Sequence, residues 1–291
     1  MSHKGGTHSL TRVSSIIRED ARLIVQEMAG SLQSLAGKTV LVTGGAGFIG
    51  SYFLDVLAAL NERGLRPPCR IWAVDNFKRG VPERIEHLGS AADFHFLSHD
   101  IKDPLPLSER IDFLIHAASI ASPTFYRQFP LETIDTNVNG TRHLLDLARK
   151  GIKSMLFLSS SEVYGDPDPA HIPTQEDYRG NVSCTGPRAS YDESKRLAET
   201  LCVTYHRLYG VPVKIVRPFN VYGPGLRLDY KRIIPDLLSA VLNQEPIILY
   251  SNGKATRSFC YIRDAIRGML YVLLSDAQGE AFNVGQNEEI A

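Results

Sequence analysis

Lys38-Thr-Val-Leu-Val-Thr-Gly-Gly-Ala-Gly-Phe-Ile-Gly50 decides the fold of this 291-residue chain. Val40 to Thr43 is a short β-forming run that enters a glycine cluster. Phe48, Ile49, Tyr52, Phe53, Val56 and Leu57 follow at helical spacing. Strand, glycine turn and helix in this order form a phosphate cradle. Gly44 permits the tight turn, Gly47 lets backbone approach a pyrophosphate, and Gly50 allows the helix to pack closely on the strand. The helix N-terminus adds free N–H groups and a partial positive charge. A glycine-rich turn without a ligand is the plainer alternative, and the flanking strand and helix weigh against it.

Outward from this stretch, Arg70 to Val74 reads as a second strand closing on Asp75-Asn76-Phe77. An acid at that point can accept both ribose hydroxyls of an adenosine and would repel a 2′-phosphate, which predicts NAD rather than NADP. A turn or cap residue is the structural alternative for Asp75. Asp75 lies 31 residues beyond Gly44, against a usual ~20. The segment Asn61-Glu-Arg-Gly-Leu-Arg-Pro-Pro-Cys69 reads as an insertion that accounts for the excess.

Strands at 39–43, 70–74, 94–97, 112–116 and 154–158 alternate with helices at 46–60 and 131–150 and a helical patch at 81–88. A further helix at 190–209 precedes a strand from Val213 to Arg217. Such alternation predicts right-handed β-α-β units. The fold class expected is therefore α/β, a doubly wound parallel sheet of the Rossmann type with a smaller C-terminal substrate-binding lobe. Residues 37–217 form the NAD-binding domain and 218–291 mainly the lobe. Residues 1–36 carry Ile16, Ile17, Leu23, Ile24, Met28, Leu32 and Leu35 at near-helical intervals, an amphipathic extension packed on its own domain or on a partner subunit. It lacks the basic face of a membrane-surface helix.

Tyr191-Asp-Glu-Ser-Lys195 places a phenol and an ammonium on one helix face. A free tyrosine, with a pKa of about 10, is a poor base at neutral pH. A nearby cation favours the phenolate, and a shift of about three units is worth roughly 4 kcal/mol. The pair can take a proton from a sugar hydroxyl while hydride leaves the same carbon. This spacing also arises by chance on solvated helices, so its weight rests on the glycine motif upstream.

With both motifs in hand, the chain resembles the extended short-chain dehydrogenase/reductase family that acts on nucleotide sugars. The likeness covers about residues 37–290. It runs through Val-Asp-Asn-Phe (74–77), His-Asp-Ile (99–101), His-Ala-Ala-Ser (116–119), Thr-Asn-Val-Asn-Gly-Thr (136–141), Ser-Ser-Ser-Glu-Val-Tyr-Gly-Asp-Pro (159–167), Arg-Pro-Phe-Asn-Val-Tyr-Gly-Pro (217–224) and Thr-Arg-Ser-Phe (256–259). The resemblance implies NAD contacts from Gly44, Gly47, Phe48, Ile49, Asp75, Asn76, Phe77, Asp100, Ile101, Ala117, Ala118, Tyr191, Lys195 and Pro218.

The tetrad Ser159-Ser160-Ser161-Glu162 discriminates within the family. Ser160 matches a hydroxyl that hydrogen-bonds the sugar C4 oxygen beside the tyrosine. The related 4,6-dehydratases carry Asp-Glu next, because expelling a C6 hydroxyl needs an acid as well as a base. Ser161 is a poor general acid, and Ser-Glu is the pattern of the branch that decarboxylates UDP-glucuronate. The implied catalytic set is Ser160, Ser161, Glu162, Tyr191, Lys195 and Arg257. Tyr126, Asn220, Arg232, Tyr250 and Arg257 are the implied substrate contacts. A capping carboxylate at Glu162, packing at Tyr126 and a surface cation at Arg257 are the plainer alternatives. His143 and Asp192 match no role, and surface positions are expected for them. A 4,6-dehydratase, a 4-epimerase and a non-catalytic NAD-binding scaffold remain the alternative functions. Relatives run further past the segment matching Phe282-Asn-Val-Gly285, so the lobe is expected to be less complete than the family implies.

Basic and acidic side chains balance at 32 each, so no basic field for nucleic acid is expected. No apolar run has the ~18 residues of a membrane span, and the N-terminus lacks a signal-peptide core. Cys69, Cys184, Cys202 and Cys260 are widely spaced, which suits free thiols in a reducing cytoplasm. The nine histidines show no metal-ligand spacing. By resemblance, the helices at 131–150 and 190–209 form a homodimer interface.

Overall fold

The computed structural model describes residues 6–230, 232–248 and 256–290, with side chains from Ser14 onward. Its strands are β1 (Thr39–Thr43), β2 (Arg70–Asp75), β3 (Phe94–Ser98), β4 (Phe113–His116), β5 (Ser154–Leu158), β6 (Val213–Pro218), β7 (Asn220–Tyr222), β8 (Phe259–Tyr261) and β9 (Ala281–Val284). Seven of these form one parallel sheet in the order β3-β2-β1-β4-β5-β6-β9, while β7 and β8 pair separately. In register, Val40 lies between Ile71 and Phe113. Every residue of β1 and β5 is buried, as expected of central strands covered on both faces.

The helices are α1 (Gly6–Glu27), α2 (Ala29–Leu32), α3 (Phe48–Glu62), α4 (Pro123–Gln128), α5 (Pro130–Asp135), α6 (Thr141–Ala148), α7 (Ala189–Tyr209), α8 (Ile233–Asn243) and α9 (Ile262–Leu274). Helices α1, α3 and α9 build the apolar core on one face of the sheet, and α6 and α7 build it on the other. The helical patch near 81–88 is two 3-10 turns, Pro82–Arg84 and Glu86–Leu88. The helix expected at 131–150 is interrupted by a π turn at Thr136–Gly140.

The N-terminal extension packs on its own domain. Ile17, Ala21, Ile24, Val25, Met28, Leu32 and Leu35 are all buried, and α1 lies along α3. Asp20, on the side read as polar, is also buried. Its carboxylate accepts from Tyr261 Oη at 2.8 Å and Tyr52 Oη at 3.5 Å, which compensates its desolvation. Covered by the sheet on one side and α1 on the other, α3 is buried along most of its length.

After β6 the chain leaves the sheet through β7, α8 and β8, then returns as α9 and β9. Strand β9, beyond the domain boundary expected at residue 217, therefore supplies the outermost strand of the main sheet.

Candidate active site

A cleft of about 1550 Å³, counting the part open to solvent, lies at the carboxyl ends of β1, β2, β4, β5 and β6. Ligands in open α/β sheets bind at this end. Gly44 sits at φ 71°, and a Cβ there would come within 2.7 Å of the Ala118 backbone. A Cβ at Gly50 would overlap the Gly44 carbonyl oxygen. Gly47 is the N-cap of α3, so backbone and the helix N-terminus face the cleft without side chains between. Asp75 closes β2 and accepts from Ala46 N at 3.0 Å and Phe77 N at 2.8 Å. Each carboxylate oxygen keeps a second lone pair for a ribose hydroxyl. These residues fit a dinucleotide.

Ser160, Tyr191 and Lys195 meet at the cleft wall. Ser160 caps the 3-10 turn Ser161–Tyr164 at the end of β5, accepting from Glu162 N at 3.3 Å. Its hydroxyl hydrogen-bonds the Tyr191 phenol. Burial is the largest influence on that phenol and raises it above the ordinary tyrosine value; Ser160 and the Arg232 charge act in the opposite direction. Lys195 is 2% exposed and donates to Leu158 O at 2.7 Å. Burial pushes its ammonium down to about 7.

The direct tuning of Tyr191 by Lys195 that the spacing suggested is not expressed in the protein alone. The lysine nitrogen is 6.0 Å from the Tyr191 ring centroid and is committed to a backbone carbonyl, while burial dominates the phenol.

Other expected site residues divide. Phe48, Ile49, Asn76, Asp100, Ile101, Ala117, Ala118, Pro218 and Arg232 line the cleft. Arg232 also donates to Ala121 O at 2.5 Å. Tyr126 lies behind the wall, its ring stacked on Tyr191 at 5.0 Å, with its buried hydroxyl unpartnered. Phe77 stacks on Phe96 instead of facing the cleft. Asn220 donates to Ser258 O at 3.1 Å, away from the lining. Ser161 and Glu162 are also outside the lining, and Glu162 is ion-paired with Arg188. Arg257 is exposed, bonded through its backbone to Ile290 and through its guanidinium to Thr256 O. Tyr250 lies outside the described residues.

Three residues to which the sequence reading gave no role have clear places here. Asn137, on the π turn, accepts from Ser119 Oγ at 2.7 Å and donates to Ser194 Oγ at 2.8 Å. It thereby joins the β4 loop to the helix carrying Tyr191. Its sequence signal was its place in the stretch 136–141, to which no role had been attached. Arg188 pairs with Asp192 at 3.4 Å as well as with Glu162, and Asp192 is buried, not the surface residue expected. Arg79 lines the cleft with its guanidinium over the Phe125 ring. Neither arginine belongs to a motif that would have singled it out.

Comparison with known proteins places this arrangement. The sequence profile described as the NAD dependent epimerase/dehydratase family matches residues 40–285. UDP-glucuronic acid decarboxylase 1 of Arabidopsis thaliana is 40% identical over 250 residues, 86% of this chain and 55% of that protein. UDP-glucuronic acid decarboxylase 6 of the same plant is 39% identical over 250 residues, covering 86% and 70% respectively. The chain thus spans about half the length of the first. Among solved structures, UDP-glucose 4-epimerase from Thermotoga maritima with UDP-glucose is similar at TM-score 0.76 and 26% identity, covering 87% of this chain and 78% of that one. The dTDP-glucose 4,6-dehydratase of Streptomyces venezuelae with NAD bound gives TM-score 0.75 and 28% identity, covering 87% and 77%.

Proposed function

Because the chain belongs to the NAD dependent epimerase/dehydratase family, we propose that it decarboxylates UDP-glucuronate to UDP-xylose through oxidation at C4, loss of carbon dioxide and reduction of the same carbon. Gly44, Gly47, Asp75 and the N-terminus of α3 would hold NAD, which when bound would supply the hydride acceptor and donor for such a cycle and be regenerated in it. Tyr191 Oη takes the proton of the C4 hydroxyl and later returns it. Lys195, as the cation, favours the phenolate during that exchange. Once C4 is a carbonyl, the bond from C5 to the carboxylate can break because its electron pair flows onto the C4 oxygen. Ser160 and Tyr191 hold the charge that develops there, a role worth about 3–4 kcal/mol per well-placed donor. A proton from solvent then takes the carboxylate's place at C5 before C4 is reduced. Arg232 lines the cleft and its charge acts on Tyr191, so it suits a sugar carboxylate or diphosphate. Arg257 would have to move from its present bonds to join it.

One observation carries the choice of chemistry. The carboxylates adjoining the Ser160–Tyr191 pair are Glu162 and Asp192, and Arg188 holds both. A 4,6-dehydratase needs a free acid at that end; decarboxylation of a β-keto acid does not. Incubation with UDP-glucuronate and NAD should release carbon dioxide without net NADH. A stable 4-keto-6-deoxy product from a UDP- or dTDP-hexose, with UDP-glucuronate untouched, would instead make it a dehydratase. Tyr191→Phe should abolish turnover and spare NAD binding; undiminished turnover would refute the assigned role.

The proposal extends to assembly and location. Leu131, Ile134, Leu197, Leu208 and Tyr209 are exposed on α5 and α7, which supports a homodimer through those helices. Cys69, Cys184, Cys202 and Cys260 are free thiols, in keeping with a cytoplasmic protein. Among the described residues no helix is long and apolar enough to cross a membrane.

A further inference from the structure

We infer that Arg79 is a ligand of the cofactor's pyrophosphate and that Arg79 and Phe125 form a clasp across the cleft that slows release of the bound dinucleotide. This goes beyond the proposed reaction and rests only on the family's use of NAD.

The base of the clasp is fixed to the glycine-rich loop. Ala46 N donates to Asp75 Oδ2 at 3.0 Å, and Val81 N donates back to Ala46 O at 3.0 Å. Between them, Gly80 lies so close that a Cβ would stand 2.6 Å from Asp75 Oδ1 and 2.8 Å from Ala46 Cβ. The backbone of Arg79 is therefore held against the loop that carries Gly44 and Gly47. From there the side chain crosses to the opposite wall, where its guanidinium carbon sits 3.1 Å from the ring centroid of Phe125 on α4. A molecule lying beneath that contact would be held back until the stack parts.

The charge of Arg79 is left for a ligand. Its Nη2 is shielded from solvent yet has no hydrogen-bond partner. The nearest carboxylate, Asp229, is 3.9 Å away and is already gripped by Arg227 through two bonds of 2.8 and 2.5 Å. Burial and the neighbouring Arg227 both disfavour the Arg79 cation, a penalty that an anion in the cleft would relieve. A guanidinium fork matches phosphate oxygens in pairs. With the α3 N-terminus on the other side of the cleft, a pyrophosphate would be gripped from two directions.

Two diphosphates could meet this arginine, the cofactor's and a nucleotide substrate's, and the test separates them. NADH release is followed by stopped-flow fluorescence on displacement with excess NAD, for the native chain, Arg79→Ala, Phe125→Ala and the double variant. Each single variant should release NADH about tenfold faster, the scale of one desolvated cation–π contact or charged hydrogen bond. The double variant should be no more than about twofold faster than either, since partners in one device are not additive. Arg79→Lys, which keeps the charge and loses the flat fork, should fall between. UDP affinity by calorimetry should stay within about twofold of the native value. Unchanged release from Arg79→Ala, multiplying effects in the double variant, or a loss confined to UDP would each overturn the clasp. Thermal melting confirms that each variant is folded; should an alanine variant fail that check, Arg79→Lys and Phe125→Leu carry the same comparison.

Discussion

Replacing Lys195 with Met should make the ligand-free protein more stable while disabling it. The lysine is buried, and its ammonium is pushed from 10.5 down to about 7. At 1.36 kcal/mol per unit this corresponds to about 5 kcal/mol as an upper bound on the cost of burying the charge. Methionine is similar in length, apolar and suited to the space near Phe157, whose ring centroid is 4.9 Å from the amine. It cannot donate to Leu158 O, and an orphaned carbonyl costs about 1–3 kcal/mol. The net gain is therefore about 2–4 kcal/mol wherever the native lysine is charged in both folded and unfolded chains, which means below about pH 7. Between about pH 7 and 10.5 the unfolded lysine keeps its proton while the folded one has released it. Native stability rises with pH across that window, and the advantage of Lys195→Met shrinks accordingly. Urea unfolding of both proteins at pH 6, 8 and 9.5 measures this directly. A variant less stable than native at pH 6, or a difference that does not change with pH, would show that the buried charge is not the strained element.

Arg188→Ala should cost about 1–3 kcal/mol because it strips the counter-ion from a buried carboxylate. Burial holds Asp192 above its ordinary value, so its ionised form burdens the fold as pH rises. The deficit should be small near pH 4 and grow toward neutrality in a melting-temperature series; a flat series would refute this. Leu208→Glu and Leu197→Glu place charges on the exposed faces of α7 and should give monomers in sedimentation velocity. An unaltered dimer would move the interface elsewhere.

The glycine stretch and its strand were legible because their demands are local. A positive φ at Gly44 and the close packing of Gly50 act through backbone, and only glycine meets them. The loop expected between α3 and β2 is closed locally as well, by Asn61, which bonds both N and O of Cys69. What escaped depends on segments distant in the chain. Apolar spacing in α1 announced a buried face but not its partner, and Asp20 is satisfied by Tyr261, 241 residues away. The clasp joins Arg79 to a phenylalanine on another crossover. Likewise the fate of Glu162 is set by Arg188, which no periodicity could pair with it. In the protein alone the expected phenol–ammonium coupling is outweighed by burial for a related reason: helical spacing fixes which face two groups share, not how dry that face is.

Strand β9, drawn from residues 281–284, pairs with β6, and this gives biosynthesis a timetable. Until those residues have left the ribosome, the β6 edge presents unpaired backbone to whatever strand is near. The sheet is thus finished only by a segment lying 63 residues beyond the end of β6. Nascent protein should depend on chaperones until residues 281–284 emerge, and chains cut before residue 281 should aggregate instead of accumulating as a folded dinucleotide-binding half.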